Sequence, residues 1–141
     1  MRSGEIRFAV SVDYDDECVF EVVVSQGAIE SRTHFYGDAD TWKDFGNRLV
    51  AFPRDITERV VFETGQRHSN FAYMSLSAYC YDPQGHAAVK VIADNNAADP
   101  YRCKLEFSIP SEVASINKLG QFLLNWQIKN YAAIVWQAQT S

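Results

Sequence analysis

A chain of 141 residues, 47% apolar and 22% charged, falls in the size range of one domain and carries enough apolar material for a single core, which excludes a disordered chain. Its formal charge of −5, without any Lys/Arg stripe to offset it, repels phosphate backbones and argues against nucleic acid as a partner. The start MRSGEIRFAV has no apolar signal region, and no segment approaches about eighteen uninterrupted apolar residues, so no membrane span is expected and residues 1–141 read as one cytoplasmic domain.

The first third carries strand signal. EIRFAVSV sets Ile6, Phe8, Val10 and Val12 on one parity, and CVFEVVV does the same with Cys18, Phe20, Val22 and Val24, around the acidic turn DYDDE. After turn residues near Gly27, IESRTHFY places Ile29, Thr33 and Phe35 on one face. The period then changes. In GDADTWKDFGNRLVAFP, Trp42, Phe45, Leu49 and Phe52 recur at helical spacing. Thr41 is placed to cap this helix with Asp44 reaching back, Asp38 and Asp40 suit the positive end of its dipole, and Pro53 bars continuation.

TERVVFET reads as a further strand, and the loop GQRHSN separates it from FAYMSLSAYCYD, whose two faces differ. Ala72, Met74, Leu76, Ala78 and Cys80 make a core-like face; Phe71, Tyr73, Ser75, Ser77, Tyr79 and Tyr81 make the other. HAAVKVIAD and YRCKLEFSI repeat the split, with Ala87, Val89, Val91 and Ala93 and then Tyr101, Cys103, Leu105, Phe107 and Ile109 as core positions. The turn DPQG suits a hairpin that pairs Tyr81 with His86, which sets Cys80 against Ala87, Ala78 against Val89 and Met74 against Ala93. For the next hairpin, Val91 opposite Leu105 sets Lys90 against Glu106 and Asp94 against Arg102.

Cys80, Asp82 and His86 contain the residue types of a nucleophile, an orienter and a base. The expected register sends the thiol into the core and the imidazole to the opposite face against Tyr81, with Asp82 as a turn former, so no catalytic residue is assigned. The three cysteines, at 18, 80 and 103, lack CxxC or His-rich spacing; Cys80 and Cys103 are expected on the core face, slow to react and too far apart to bridge.

PSEVASINKLGQFLLNWQIKN carries Val113, Ile116, Leu119, Phe122, Leu123 and Trp126 at helical spacing, with Gly120 read as a place of close backbone packing. The apolar tail YAAIVWQAQTS, residues 131–141, is open to three structures: a longer helix, an edge strand or a dimer contact around Ile134 and Trp136.

Three constellations remain as candidate sites. His34 with Asp38 and Asp40 has metal-ligand residue types, but the two acids already serve the helix start, so no metal and no cofactor is expected. The face with Tyr73, Tyr79, Tyr81, His86 and Lys90 mixes aromatic and ionisable groups as recognition surfaces do. The acidic runs, Asp13, Asp15, Asp16 and Glu17 with Asp38, Asp40 and Asp44, suit a basic protein partner. No GxGxxG, P-loop, GxSxG or HExxH is present, so an enzyme would need a site assembled from scattered residues.

With WKDFGNRLVAFP, GHAAVKV and INKLGQFLLNW in order, residues 42–126 resemble small uncharacterised bacterial proteins of the Wap-type immunity-like kind. That resemblance implies an antiparallel sheet packed on helices and the binding and neutralising of a toxin; it brings no functional residues with it. The expected fold is α+β, a largely antiparallel β-sheet of about seven or eight strands packed against a long C-terminal helix and a short middle helix. The expected function is a non-catalytic protein-binding module, against the alternatives of a small enzyme and a structural homodimer.

Overall fold

A computed structural model describes residues 4–13, 15, 17–65 and 72–140. Ten elements follow in chain order: β1 (Glu5–Val12), β2 (Cys18–Gln26), β3 (Ile29–Gly37), α1 (Lys43–Val50), β4 (Val60–Thr64), β5 (Tyr73–Cys80), β6 (Ala87–Asp94), β7 (Lys104–Ser111), α2 (Val113–Asn125) and β8 (Ala133–Gln137). The class is α+β, as the sequence pattern implies. The strands divide into two antiparallel sheets of four, ordered β3-β2-β1-β8 and β4-β5-β6-β7. Each sheet has one continuous apolar face, and two such faces bury one another more completely than a single sheet buries itself. Ile6, Phe8, Phe20 and Val22 from the first and Leu76, Val89, Val91 and Ile109 from the second accordingly share one core.

Aromatic rings tie the layers together. Trp42 stacks on Phe62 of β4 with ring centroids 4.2 Å apart and meets Phe8 and Phe20 edge-on at 5.0 and 5.8 Å. Edge-on and offset contacts let the electron-poor rim of one ring meet the face of the next. Trp42 stands at the N-cap of α1 and makes no side-chain cap bond. Thr41 does not cap either: its Oγ1 accepts the N–H of Asp38 at 2.8 Å, so the hydroxyl closes the preceding turn. Asp44 faces along the helix to Arg48 at 3.7 Å. The other end of α1 is held by Asn117 of α2, whose Nδ2 donates to the carbonyls of Leu49 and Phe52, both at 2.8 Å.

The β5–β6 ladder has the register the turn implies, from Met74↔Ala93 to Cys80↔Ala87, with Tyr81 N donating to His86 O at 2.8 Å. The β6–β7 ladder is displaced by two residues from the expected one, pairing Val91 with Phe107 and Ala93 with Leu105. A two-residue shift keeps every side chain on its face, so the core pattern permits both registers. Helix α2 is shorter than its apolar spacing suggests and ends at Asn125; Trp126 is extended backbone, its ring still packed on Phe8 and Phe20. Of the three structures open to the tail, the chain adopts the edge strand: β8 pairs with β1 from Glu5↔Gln137 to Ala9↔Ala133. Trp136, named as a dimer contact, is instead 1% exposed inside its own chain, its Nε1 donating to Ser115 O at 2.8 Å. Asp16, Phe71 and most of the GQRHSN loop lie outside the described residues.

Candidate functional site

The acidic runs are far apart in sequence and adjacent in the fold. Gly27, with φ of 60°, and Ala28 form a two-residue loop closed by Gln26↔Ile29. Counting back along that ladder pairs Cys18 with Gly37, so the β1–β2 turn and the segment leading to α1 emerge at the same end of one sheet. Each turn is built by its own acids. Asp13 Oδ1 accepts the N–H groups of Asp15 at 2.9 Å and Glu17 at 3.0 Å, and Asp38 Oδ1 accepts that of Asp40 at 2.8 Å. Asp13, Asp15, Glu17, Asp38 and Asp40 are all exposed. One rung inward, Val19↔Tyr36 carries a tyrosine that is 71% exposed. Asp44 lies apart from this end-on cluster in role, since Arg48 already partners it.

His34 does not join Asp38 and Asp40. Its Nε2 meets Glu21 Oε2 at 2.7 Å, and Arg32 Nη1 approaches the same oxygen at 3.1 Å. Burial works to raise the Glu21 carboxyl, but the Arg32 and His34 hydrogen bonds outweigh it and hold the group below the ordinary carboxylate range. Among the described residues no group of three or more His, Cys, Asp or Glu side chains is gathered to hold a metal ion.

The aromatic face lies on the outside of the second sheet and is largely occupied with itself. Tyr73 is buried and donates through its hydroxyl to Glu63 at 2.6 Å. Tyr79 shares a hydrogen bond with Ser108 at 2.8 Å and lies under the Arg59 guanidinium, 4.9 Å from the ring centroid. Lys90 sits 3.7 Å from Glu106. Ser75, Ser77 and Ala88 between them are small and buried. Tyr81 and His86 form a separate pair at the hairpin end, with ring planes 23° apart and centroids at 6.0 Å. Tyr79 and Lys90 thus stand on the second sheet, whereas Asp38 and Asp40 follow β3 of the first and Asp44 lies on α1.

Asp82 does more than form its turn. Oδ1 accepts the N–H groups of Gln84 at 3.0 Å and His86 at 3.1 Å, while Oδ2 lies 2.6 Å from His86 Nδ1. The His86 hydrogen bond holds the Asp82 carboxyl below its ordinary value. Cys80 takes no part in this: it belongs to the opposite face, and burial, reinforced by Asp82 and Asp55, pushes its thiol up from the ordinary value. That is the reverse of nucleophile activation.

Cys103 departs from expectation. It is exposed, because β7 begins at Lys104 and pairs it with Asp94, the last residue of β6, leaving no strand across from Cys103. Comparison with family models, with curated proteins and with solved structures gives no match. The convergence of the acidic turns was missed in the sequence because it depends on the β2–β3 register. Gly27 was the available signal, since a two-residue loop there fixes every later pairing.

Proposed function

We propose that the protein is a non-catalytic cytoplasmic protein-binding module that docks a basic protein at its acidic end, as an immunity-like bacterial protein does in neutralising a basic toxin. The observation that carries this reading is the Cys18↔Gly37 rung, which concentrates Asp13, Asp15, Glu17, Asp38 and Asp40 on one exposed end beside Tyr36. Clustered like charges create a field that steers an oppositely charged partner and rejects like-charged ones. The exposed Tyr36 ring supplies apolar contact that charge alone lacks.

The test is affinity capture from a lysate of the source organism at low and high salt, with the wild-type chain and a variant carrying Asp13→Asn, Asp15→Asn, Glu17→Gln, Asp38→Asn and Asp40→Asn as parallel baits. The amides keep the oxygens that build the turns and remove the charge. Wild type should hold one basic protein in stoichiometric amount and release it with salt, and the variant should not hold it. Added wild type should then suppress that protein's toxic activity. Equal capture by both baits rejects the acidic end as the interface; capture without suppression rejects the immunity reading.

A second reading, a homodimer, is favoured by the edge of the first sheet. Strand β8, AIVWQ, is an edge strand without a charged residue, and Val135 on it is 46% exposed. Uncharged edges invite pairing with another strand. Sedimentation at high micromolar concentration should give twice the 16.0 kDa chain mass if this holds, and Val135→Lys should return the monomer.

A further inference from the structure

We infer that the trough on the outer face of the first sheet, between Arg7 of β1 and Tyr131 just before β8, binds a small aromatic carboxylate, its charged end on Arg7 and its ring against Tyr131. The trough encloses about 370 Å³ and is open to solvent on one side. Ala9 and Ala133, paired on one rung, make its floor, so Arg7, Glu21 and Tyr131 rise around two methyl groups.

The guanidinium at one end is accessible and unspent. Arg32, Arg48, Arg54 and Arg102 each have a carboxylate partner, and Arg59 lies on the Tyr79 ring. Arg7 is exposed and has no such partner among the described residues. Glu5, the next outward residue of β1, accepts from Gln137 Nε2 at 3.2 Å instead of joining it. Glu21, the carboxylate of the trough, is taken as well: its Oε2 meets His34 Nε2 at 2.7 Å and Arg32 Nη1 at 3.1 Å. An incoming carboxylate therefore meets a free planar fork that it can bind through both oxygens, beside an acid whose charge is already balanced.

The ring at the other end is fixed and uncovered. Tyr131 has φ of 65°, a backbone that a bulky side chain adopts only where its surroundings impose it. They do so here: Tyr131 N donates to Val10 O at 3.0 Å, Ala132 N to Lys129 O at 3.0 Å, and Val12 N to Asn130 Oδ1 at 2.9 Å. Burial of the ring does not offset that conformation, since Tyr131 is 85% exposed. A ring held in place before binding loses little freedom when a flat ligand stacks on it. The bond to Val10 sets Tyr131 three residues along β1 from Arg7, roughly 10 Å at the ordinary strand rise, a gap that one ring and its carboxylate fill. The ligand's charge then sits at the end of β1 away from the acidic turn. This site occupies the face of the sheet and the acidic docking surface its end, so neither assignment depends on the other.

The experiment titrates the full ¹⁵N-labelled chain with benzoate, benzyl alcohol and acetate and follows the amide shifts. Benzoate should move the amides of residues 7–11 and 131–135 saturably; benzyl alcohol, which lacks the charge, and acetate, which lacks the ring, should each bind more weakly. Arg7→Gln should lower benzoate affinity about tenfold, to that of benzyl alcohol. Tyr131→Gly should weaken benzoate binding without lowering the urea midpoint, because glycine adopts the left-handed backbone without strain. Linear, unsaturable shifts, benzyl alcohol binding as tightly as benzoate, or an Arg7→Gln or Tyr131→Gly chain that binds benzoate as well as wild type would each overturn the assignment.

Discussion

Gly46 of α1 and Gly120 of α2 stand face to face where the helices cross, so closely that a Cβ on Gly120 would lie 2.7 Å from the Gly46 carbonyl oxygen and 2.8 Å from the Val50 nitrogen. Both obstacles are backbone and cannot rotate away. Overpacking of this kind costs about 1–3 kcal/mol, and alanine's better helix propensity returns about 1 kcal/mol. Gly120→Ala should therefore destabilise the chain by a net of up to about 2 kcal/mol, read as a lowered urea midpoint. A Cβ on Gly46 meets Gly120 O and the Leu124 side chain at 3.1 Å, so Gly46→Ala should be nearer neutral. A raised midpoint for Gly120→Ala would show the crossing to be looser than described.

Trp136 makes the tail part of the core. Trp136→Ala should cost about 3–5 kcal/mol, as large-to-small changes at buried aromatics do. Trp136→Phe keeps most of the volume but removes the Nε1–H bond to the Ser115 carbonyl, which keeps its place in the α2 ladder, a loss of about 0.5–1.5 kcal/mol. Trp126→Ala should cost less than Trp136→Ala, since that ring is only half-buried and its Nε1 makes no hydrogen bond among the described residues. Equal losses from the two alanine variants in urea unfolding would contradict this ordering.

The parity of side chains was legible in the sequence, and with it most strands, both helices and most of the core, but Ile29, Tyr101 and Phe122, at apolar positions of that pattern, are 43%, 79% and 42% exposed. Ile6, Phe8, Leu76 and Val89 are buried where their alternation puts them. Register was legible only where a tight turn pinned it, as DPQG does for β5–β6. For β6–β7 the charge pairs pointed two residues away, because Lys90–Glu106 and Asp94–Arg102 form equally well as diagonal neighbours, at 3.7 and 2.6 Å. The division into two sheets was hidden for a related reason. Alternation says which face is apolar and nothing about which other element covers it. The acidic residues of the candidate surface were visible in the sequence; their convergence depended on pairing across the β2–β3 ladder.

The Asp94–Arg102 pair should make stability depend on acid. The Arg102 hydrogen bond and the backbone N–H of Asn96 hold the Asp94 carboxyl below its ordinary value. A carboxyl whose folded pKa is depressed takes up protons more readily when unfolded. Its contribution is complete above the unfolded value of about 3.9 and disappears as pH falls through the folded one. Asp94→Asn should thus be less stable than wild type at neutral pH, with the gap closing as pH drops below about 4. Urea unfolding of both chains across that range checks it; a gap that stays constant would mean that the charge contributes nothing.

Thiol chemistry separates the three cysteines. Cys103 is exposed, Cys80 half-buried and Cys18 buried. Reaction with a thiol reagent proceeds through the thiolate and needs access, and Cys80 is short of both, since burial and then Asp82 and Asp55 push its thiol up. Native protein should consume one equivalent quickly and two more only as it unfolds. Cys103→Ser should abolish the fast phase. If a fast phase survives in that variant, Cys80 or Cys18 reacts from the folded state, which contradicts the burial that the fold gives both. If it does not, the imidazole so firmly held by Asp82 has no thiol within its chemistry, and the hairpin end remains structural.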